Sequence, residues 1–470
     1  MTALHELSAT QLVAAYRAKD LSPVEVTQAV IAQIERGEPT LHATYAFDPE
    51  AALAAAQQSE ARWLKGTQIA QGGICMDGVP ATIKENIATK GTPVPLGTAA
   101  TDLVPATEDG PPAARLREAG AIITAKTTMP EYGAMSSGLS SFHPLTRNAW
   151  NTAMNPGGSS AGAGAGGAAG YGPLHVGTDI GGSVRFPAAW NGLVGLKPSL
   201  GRVPIAPPYM GRAAGPMTRT VADCAMMMGV LSRPDPTGRD HMNLPANAIQ
   251  WTDLDIDLTG KVIGLQLDAG CGMDLDPQVI APVQAAAKLF EAAGAVVEYV
   301  DPWMSDELLH ALDRFWRIRG AQDVAALRPD QREKVLPLFM EWVAPAREWT
   351  AMQGFADYTA SLEIRARTVA ATHSYDFMIS PVAANTSFPA QWGYVTNDVN
   401  RAMDQIGFTL PYNLSEQPAV TVCCGYDSNG VPMGLQIAGR RFDDLGVLQV
   451  AKLYEQLRPK MRPWPMAFPK

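Results

Sequence analysis

Asn155-Pro156-Gly157-Gly158-Ser159-Ser160-Ala161-Gly162-Ala163-Gly164-Ala165-Gly166-Gly167 is the stretch on which the reading of this chain turns. It satisfies two familiar motifs at once. Gly162-x-Gly164-x-x-Gly167 fits the dinucleotide-binding fingerprint, which follows a buried strand and has an acidic residue about 20 positions further on. Here Trp150–Pro156 precedes it, and Asp179 comes too soon, at 179 − 167 = 12. Gly158-Ser159-Ser160-Ala161-Gly162 fits G-x-S-x-G, the nucleophile elbow, which needs a strand before its serine and a late histidine. His373 with Asp301 or Asp357 would supply the other two members, but the strand is again missing. A run so rich in glycine matches short motifs by chance. Its apolar flanks predict tight packing with close backbone approach, not a linker.

The flanks give a third reading. Upstream lies Gly78-Val79-Pro80-Ala81-Thr82-Ile83-Lys84-Glu85-Asn86, and downstream Gly177-Thr178-Asp179-Ile180-Gly181-Gly182-Ser183-Val184-Arg185-Phe186-Pro187. With the glycine-rich run these resemble the amidase signature family. That family has a lysine in G-V-P-x-x-x-K-[DE]-N, a serine in G-G-S-S and a second serine in G-T-D-x-G-G-S-[IV]-R. The separations agree, at 183 − 159 = 24 and 183 − 84 = 99. Gly195-Leu196-Lys197-Pro198-Ser199 with Gly201-Arg202-Val203, the block Gly215–Asp223, and Gly430–Gln436 extend the resemblance over most of the chain. It is strongest from 78 to 223. Ala161 stands where the family usually has a further glycine, a difference of one methyl group.

The resemblance implies an amide hydrolase. Amide cleavage needs a nucleophile, a base, a proton for the leaving amine and stabilisation of an oxyanion. Mapped residue by residue, Ser183 is the nucleophile, Ser159 the bridge behind a cis Gly158–Ser159 bond, and Lys84 the base. The oxyanion falls to the amides of Ile180, Gly181, Gly182 and Ser183, since successive N–H groups in a glycine turn form an anion-binding nest. Ser160, Thr178, Asp179 and Arg185 are expected to hold the loop, and Tyr132 and Gly133 to touch substrate. Lys84 must be neutral to act, whereas an exposed lysine titrates near ~10.4; desolvation lowers that value. Its neighbours Val79, Pro80, Ala81, Ile83 and Ile87 suit such a site. The scheme uses no cofactor and none of the histidines His5, His42, His143, His175, His241, His310 and His373. No H-x-x-x-H or H-E-x-x-H run suggests a catalytic metal.

The substrate stays open at this level. Trp303, Trp316, Trp342, Trp349 and Trp392, with Phe315, Phe355 and Tyr358, lie in the segment that the family uses to wall its pocket. They fit a site for aryl or alkyl amides, anilides or carbamates (urethanes), and equally a helical core. The alternative function is the amidase (glutaminase) subunit of a tRNA-dependent amidotransferase. A homodimer is compatible with the sequence.

Further out, residues 7–36 read as two helices, with Ser8 and Ser22 as N-caps, Pro23 at N1 and Glu25 at N3. Pro49–Leu64 is a third, Ala-rich helix, completing an N-terminal helical region over 1–70 ahead of a signature core at 75–225. Ala121–Ala125 reads as a buried strand behind a helix at Ala113–Ala119. Lys261–Leu267, the helix Pro277–Ala293 and Val296–Val300 form a βαβ pattern. Residues 300–372 read as a variable helical insertion. Strands at Phe377–Ser380, Ala419–Cys424 and Met433–Ala438 and a helix at Leu445–Leu457 follow. The expectation is a single α/β/α domain over 1–470, around a large mixed sheet with helical insertions.

The bulk properties set the outer bounds. The chain has 470 residues, 46% hydrophobic and 18% charged, with a net charge of −9. An acidic balance lacks the basic footprint of a nucleic-acid binder. The N-terminus has neither basic start nor apolar run, so no signal peptide is expected. No uninterrupted apolar stretch approaches the ~18 residues of a membrane span. Cys75, Cys224, Cys271, Cys423 and Cys424 form no C-x-x-C pair and read as buried free thiols in a reducing cytoplasm.

Overall fold

The structure is a computed structural model that describes residues 3–237, 244 and 249–468; His241 lies outside them. Its strands are β1 Thr44–Tyr45, β2 Ala70–Gln71, β3 Ile74–Cys75, β4 Pro80–Lys84, β5 Ile122–Thr127, β6 Leu174–Asp179, β7 Val194–Lys197, β8 Ala213–Thr218, β9 Val262–Leu265, β10 Val296–Tyr299, β11 Phe377–Pro381, β12 Ala419–Tyr426 and β13 Pro432–Gly439. β2 and β3 pair only with each other. Among the described residues the rest form an 11-stranded sheet in the order β1-β5-β4-β6-β8-β7-β12-β13-β11-β9-β10. It is mixed: β5, β4 and β6 run parallel, as do β11, β9 and β10, and β8, β7, β12 and β13 join the two groups by antiparallel pairings. This is the α/β architecture with a large mixed sheet that the sequence predicts.

The N-terminal helices form where their signals stand. Ser8 and Ser22 each cap through a reciprocal capping box, opening the helices Ala9–Ala18 and Pro23–Leu41, and Asp48 caps Pro49–Lys65. One apolar core lies between the sheet and the helices Ala9–Ala18, Val221–Leu231, Pro277–Ala292 and Asp444–Leu457. A second lies under the helical insertion, which runs from β10 to β11 and includes the helices Asp306–Ala325, Pro337–Val343 and Ala351–Thr372. Among the described residues no helix is long and apolar enough to cross a membrane. All five cysteines are free; Cys271 and Cys424 are half-buried rather than buried.

The glycine-rich run becomes a buried helix, Ala161–Ala169. Glycine disfavours helix by about 1 kcal/mol per residue, so packing must enforce this one. A Cβ at Gly162 would lie 2.1 Å from the Ala43 carbonyl oxygen, so a larger residue would push the helix off the sheet's edge. Neither misread motif has its context. No strand leads directly into Ser159, since β5 ends at Thr127, and Ser160 is fully buried.

Candidate active site

Parallel strands β4 and β6 are neighbours in register, with Ile83 opposite Val176, and both end at the same edge. Ligand sites in open α/β sheets form outside such carboxyl ends. β4 ends on Lys84 and β6 on Thr178 and Asp179. The segment entering the glycine-rich helix brings Ser159 alongside. Lys84 Nζ lies 2.8 Å from Ser159 Oγ and 3.1 Å from Thr178 Oγ1. Asn86 Nδ2 donates to the same Thr178 oxygen at 3.0 Å, a contact that the sequence reading did not foresee. The Gly158–Ser159 peptide is cis, as the resemblance implies.

Lys84 is fully buried. Burial, reinforced by the charge of Arg212, brings its ammonium down to about 7, against the opposing pull of Asp179 and Glu85. A large fraction of this amine is therefore neutral at physiological pH. Ser159 is almost wholly buried, whereas Ser183 is half-exposed, and both line one cavity with Thr178, Ile180, Tyr132 and Gly133. Ser160 does not face this cavity. Its Oγ ties to the backbone N–H and carbonyl of Thr178, each at 3.3 Å, and its own N–H donates to the Ser183 carbonyl.

The turn from Ile180 to Ser183 is shaped by Asp179. Its carboxylate accepts from the backbone N–H of Gly182 at 2.8 Å and of Val184 at 3.1 Å, and from Arg185 Nε and Nη2 at 3.0 and 2.9 Å. Asn413 Nδ2 adds a further bond at 2.9 Å. Burial alone would raise the Asp179 carboxyl, but Arg185 and Asn413 hold it well below the usual carboxylate range. Arg185 continues the network to the Thr409 carbonyl and to Gln436 Oε1, each at 2.8 Å. Gly182 sits at φ +127°, where a Cβ would lie 2.3 Å from the Phe186 ring. Of the four turn amides, that of Gly182 is thus engaged by Asp179. Those of Ile180, Gly181 and Ser183 have no acceptor among the described residues and remain free to meet an anion.

This network yields a stability prediction. Removing one partner of a buried ion pair strands the other charge, at about 3–5 kcal/mol. Asp179→Ala should destabilise the fold by that order in denaturant titration. Because the folded Asp179 carboxyl is held low, its contribution is present above the unfolded value of ~3.9 and is lost only as pH falls through the lower folded one.

The aromatic candidates separate. Trp316 and Trp342 wall a chamber beside Ser183, together with Tyr132, Phe339, Met403 and Ile406. Tyr132 stacks on Phe339 with ring centroids 5.0 Å apart. Trp303 and Trp392 pack in the second core along with Phe315, and Trp349 is half-buried outside the chamber. Phe355 and Tyr358 are exposed on the helix Ala351–Thr372. Phe339, within the predicted helical insertion, gave no signal that set it apart from core. Among the described residues no group of three or more His, Cys, Asp or Glu is placed to hold a metal ion.

The chain is similar over nearly its whole length to known amidases. The family model described as Amidase matches residues 25–448. A glutamyl-tRNA(Gln) amidotransferase subunit from Chloroflexus aurantiacus is 33% identical, over 97% of this chain and 98% of its own length. An acylamidase from Rhodococcus erythropolis is 32% identical, over 97% of this chain and 96% of its own. The crystal structure of a bacterial aryl acylamidase of the amidase signature enzymes superposes with a TM-score of 0.88 at 27% identity, covering 100% of both chains.

Proposed function

This chain belongs to the amidase family and is an amide hydrolase, and from that premise we propose that it cleaves aryl or alkyl amides, anilides or carbamates through an acyl-enzyme on Ser183. Neutral Lys84 takes the Ser159 proton as Ser159 takes that of Ser183. Ser183 Oγ then adds to the carbonyl carbon, and the oxyanion meets the amides of Ile180, Gly181 and Ser183. The Gly182 amide, through Asp179, keeps the turn in shape. Collapse of the adduct returns a proton through Ser159 to the leaving nitrogen, and water releases the acyl group by the same route reversed. Thr178 and Asn86 orient the lysine, and Arg185 secures Asp179.

The observation that carries the substrate class is the chamber beside Ser183, walled by Tyr132, Trp316, Phe339, Trp342, Met403 and Ile406. The aromatic walls reward an apolar acyl group, whereas the charged head of glutamine would meet only Arg319 and Asp323 at the chamber's border. The likeness to an amidotransferase component supports the second reading, in which this chain releases ammonia to a partner. The test is a panel of glutamine, aliphatic amides, anilides and carbamates given to the purified chain alone. Turnover of anilides or carbamates at least ten times faster than of glutamine, measured as kcat/KM, is the expected result. Preference for glutamine would favour the amidotransferase reading. EDTA treatment is expected to leave the activity intact, since each step uses side chains and amides; loss restored by zinc would overturn the scheme. Free cysteines throughout suit a reducing, cytoplasmic location.

A further inference from the structure

The reactive serines divide the cavity into two sides. Ser183, Ile180, Tyr132, Gly133, Arg319 and Asp323 border both. Ser159 borders only one, the side that also holds Asn86, Leu96, Met129, Pro207 and Arg212. The proposed relay hands its proton to the leaving nitrogen through Ser159 Oγ. The amine half of the substrate must therefore occupy the Ser159 side, and the acyl half the aromatic side.

The amine side contains a cation without a counter-ion. Arg212 is half-buried, and its Nη1 donates to the Pro207 carbonyl at 2.9 Å. No carboxylate among the described residues lies within ion-pair distance of it, and the neighbouring charge that it feels is that of Arg319. Arg319 stacks over the Tyr209 ring at 4.2 Å, and the acid whose charge acts with it is Asp323, which lines the cavity too. Withdrawing an unpaired guanidinium from water costs free energy that an anionic ligand would restore. A planar fork of N–H donors suits a carboxylate in particular.

We propose that Arg212 binds an anionic group carried by the leaving amine, so that the preferred substrates are amides or carbamates of amino-carboxylates, such as aminobenzoates. Hydrolysis then releases the free acid and an amine that keeps its carboxylate. This rests on the serine-relay reading of the same site.

Three matched compounds test it: benzanilide, the benzoyl amide of 4-aminobenzoate, and the monoanilide of terephthalate. The first is neutral, the second carries its carboxylate on the amine and the third on the acyl group. A charge-assisted bond predicts kcat/KM about tenfold higher for the second than for the first, mainly through KM, with no gain for the third. Arg212→Gln should bring that ratio to about one, and Arg212→Lys should retain part of it. Each value is taken on the pH plateau of its own variant, because Arg212 also lowers the Lys84 ammonium, which Asp179 and Glu85 raise. A ratio at or below one in the parent, or a ratio that survives Arg212→Gln, overturns the proposal. A parent silent on all three compounds removes the aryl-amide reading beneath it instead, and silence on the glutamine, aliphatic amide and carbamate panel as well removes the relay.

Discussion

Lys84→Ala should lower kcat/KM by about 10²–10⁴-fold or more while the chain stays folded, since general-base catalysis is typically worth that much and an obligatory relay more. The only groups within hydrogen-bond distance of the Lys84 amine, among the described residues, are Ser159 Oγ and Thr178 Oγ1. Without that amine the Ser159 proton has no acceptor. Arg at this position should do no better, because guanidinium stays protonated at any working pH. In the parent, the rate should rise with pH through about 7, where the buried ammonium loses its proton. The linkage to stability has the opposite sense from that of a salt-bridged lysine. The folded value lies below the unfolded one of ~10.4, so the unfolded chain binds more protons between them. Burying Lys84 therefore costs stability at neutral pH, and the cost shrinks as pH rises toward ~10. Lys84→Met should remove it, and its Tm at pH 7 should be no lower than the parent's. The measurements are kcat/KM against pH and thermal unfolding by circular dichroism. A folded Lys84→Ala that keeps more than about a tenth of parent activity would contradict the assignment.

Ser183→Ala should be at least as damaging, with a loss on the order of 10⁴-fold or more, because no covalent intermediate can form without the hydroxyl. A serine-directed sulfonyl or phosphonate reagent should stop the parent and leave its adduct on Ser183, the half-exposed serine of the cavity. Peptide mapping distinguishes this from the two neighbouring serines. Ser160 is fully buried, with its Oγ committed to the Thr178 backbone, so an adduct there would revive the nucleophile-elbow reading. Labelling of Ser183 should weaken sharply in Lys84→Ala, since the attacking hydroxyl is then no longer activated.

Three short runs of residues, through their resemblance to the amidase signature family, pointed to the enzyme class and singled out Lys84, Ser159 and Ser183 as candidates. These runs carry groups whose chemistry admits few substitutes. The helices with explicit punctuation were legible for a similar reason. Ser8, Ser22-Pro23 and Asp48 satisfy orphan backbone donors locally, and such signals are written next to the structure they cause. The centre of the fold was less legible. β6 is buried along its whole length, so it shows no alternation, and the helix Ala161–Ala169 contradicts the propensity of its own glycines. Both exist because the sheet and its neighbours enclose them, which is a property of contacts far apart in sequence. The same holds for the finer parts of the site. Arg185 meets Asn413 and Gln436, which lie 228 and 251 positions further on, and Asn86 meets Thr178 at a separation of 92. No local pattern marks such partners. Tertiary structure alone decided that Trp316, Phe339 and Trp342 wall the chamber while Phe355 and Tyr358 face solvent. It also left Arg212 lining the cavity with no carboxylate within ion-pair distance among the described residues. An aromatic ring or a guanidinium is the same residue in a core, on a surface or in a pocket, and only the elements packed around it determine which of these it becomes.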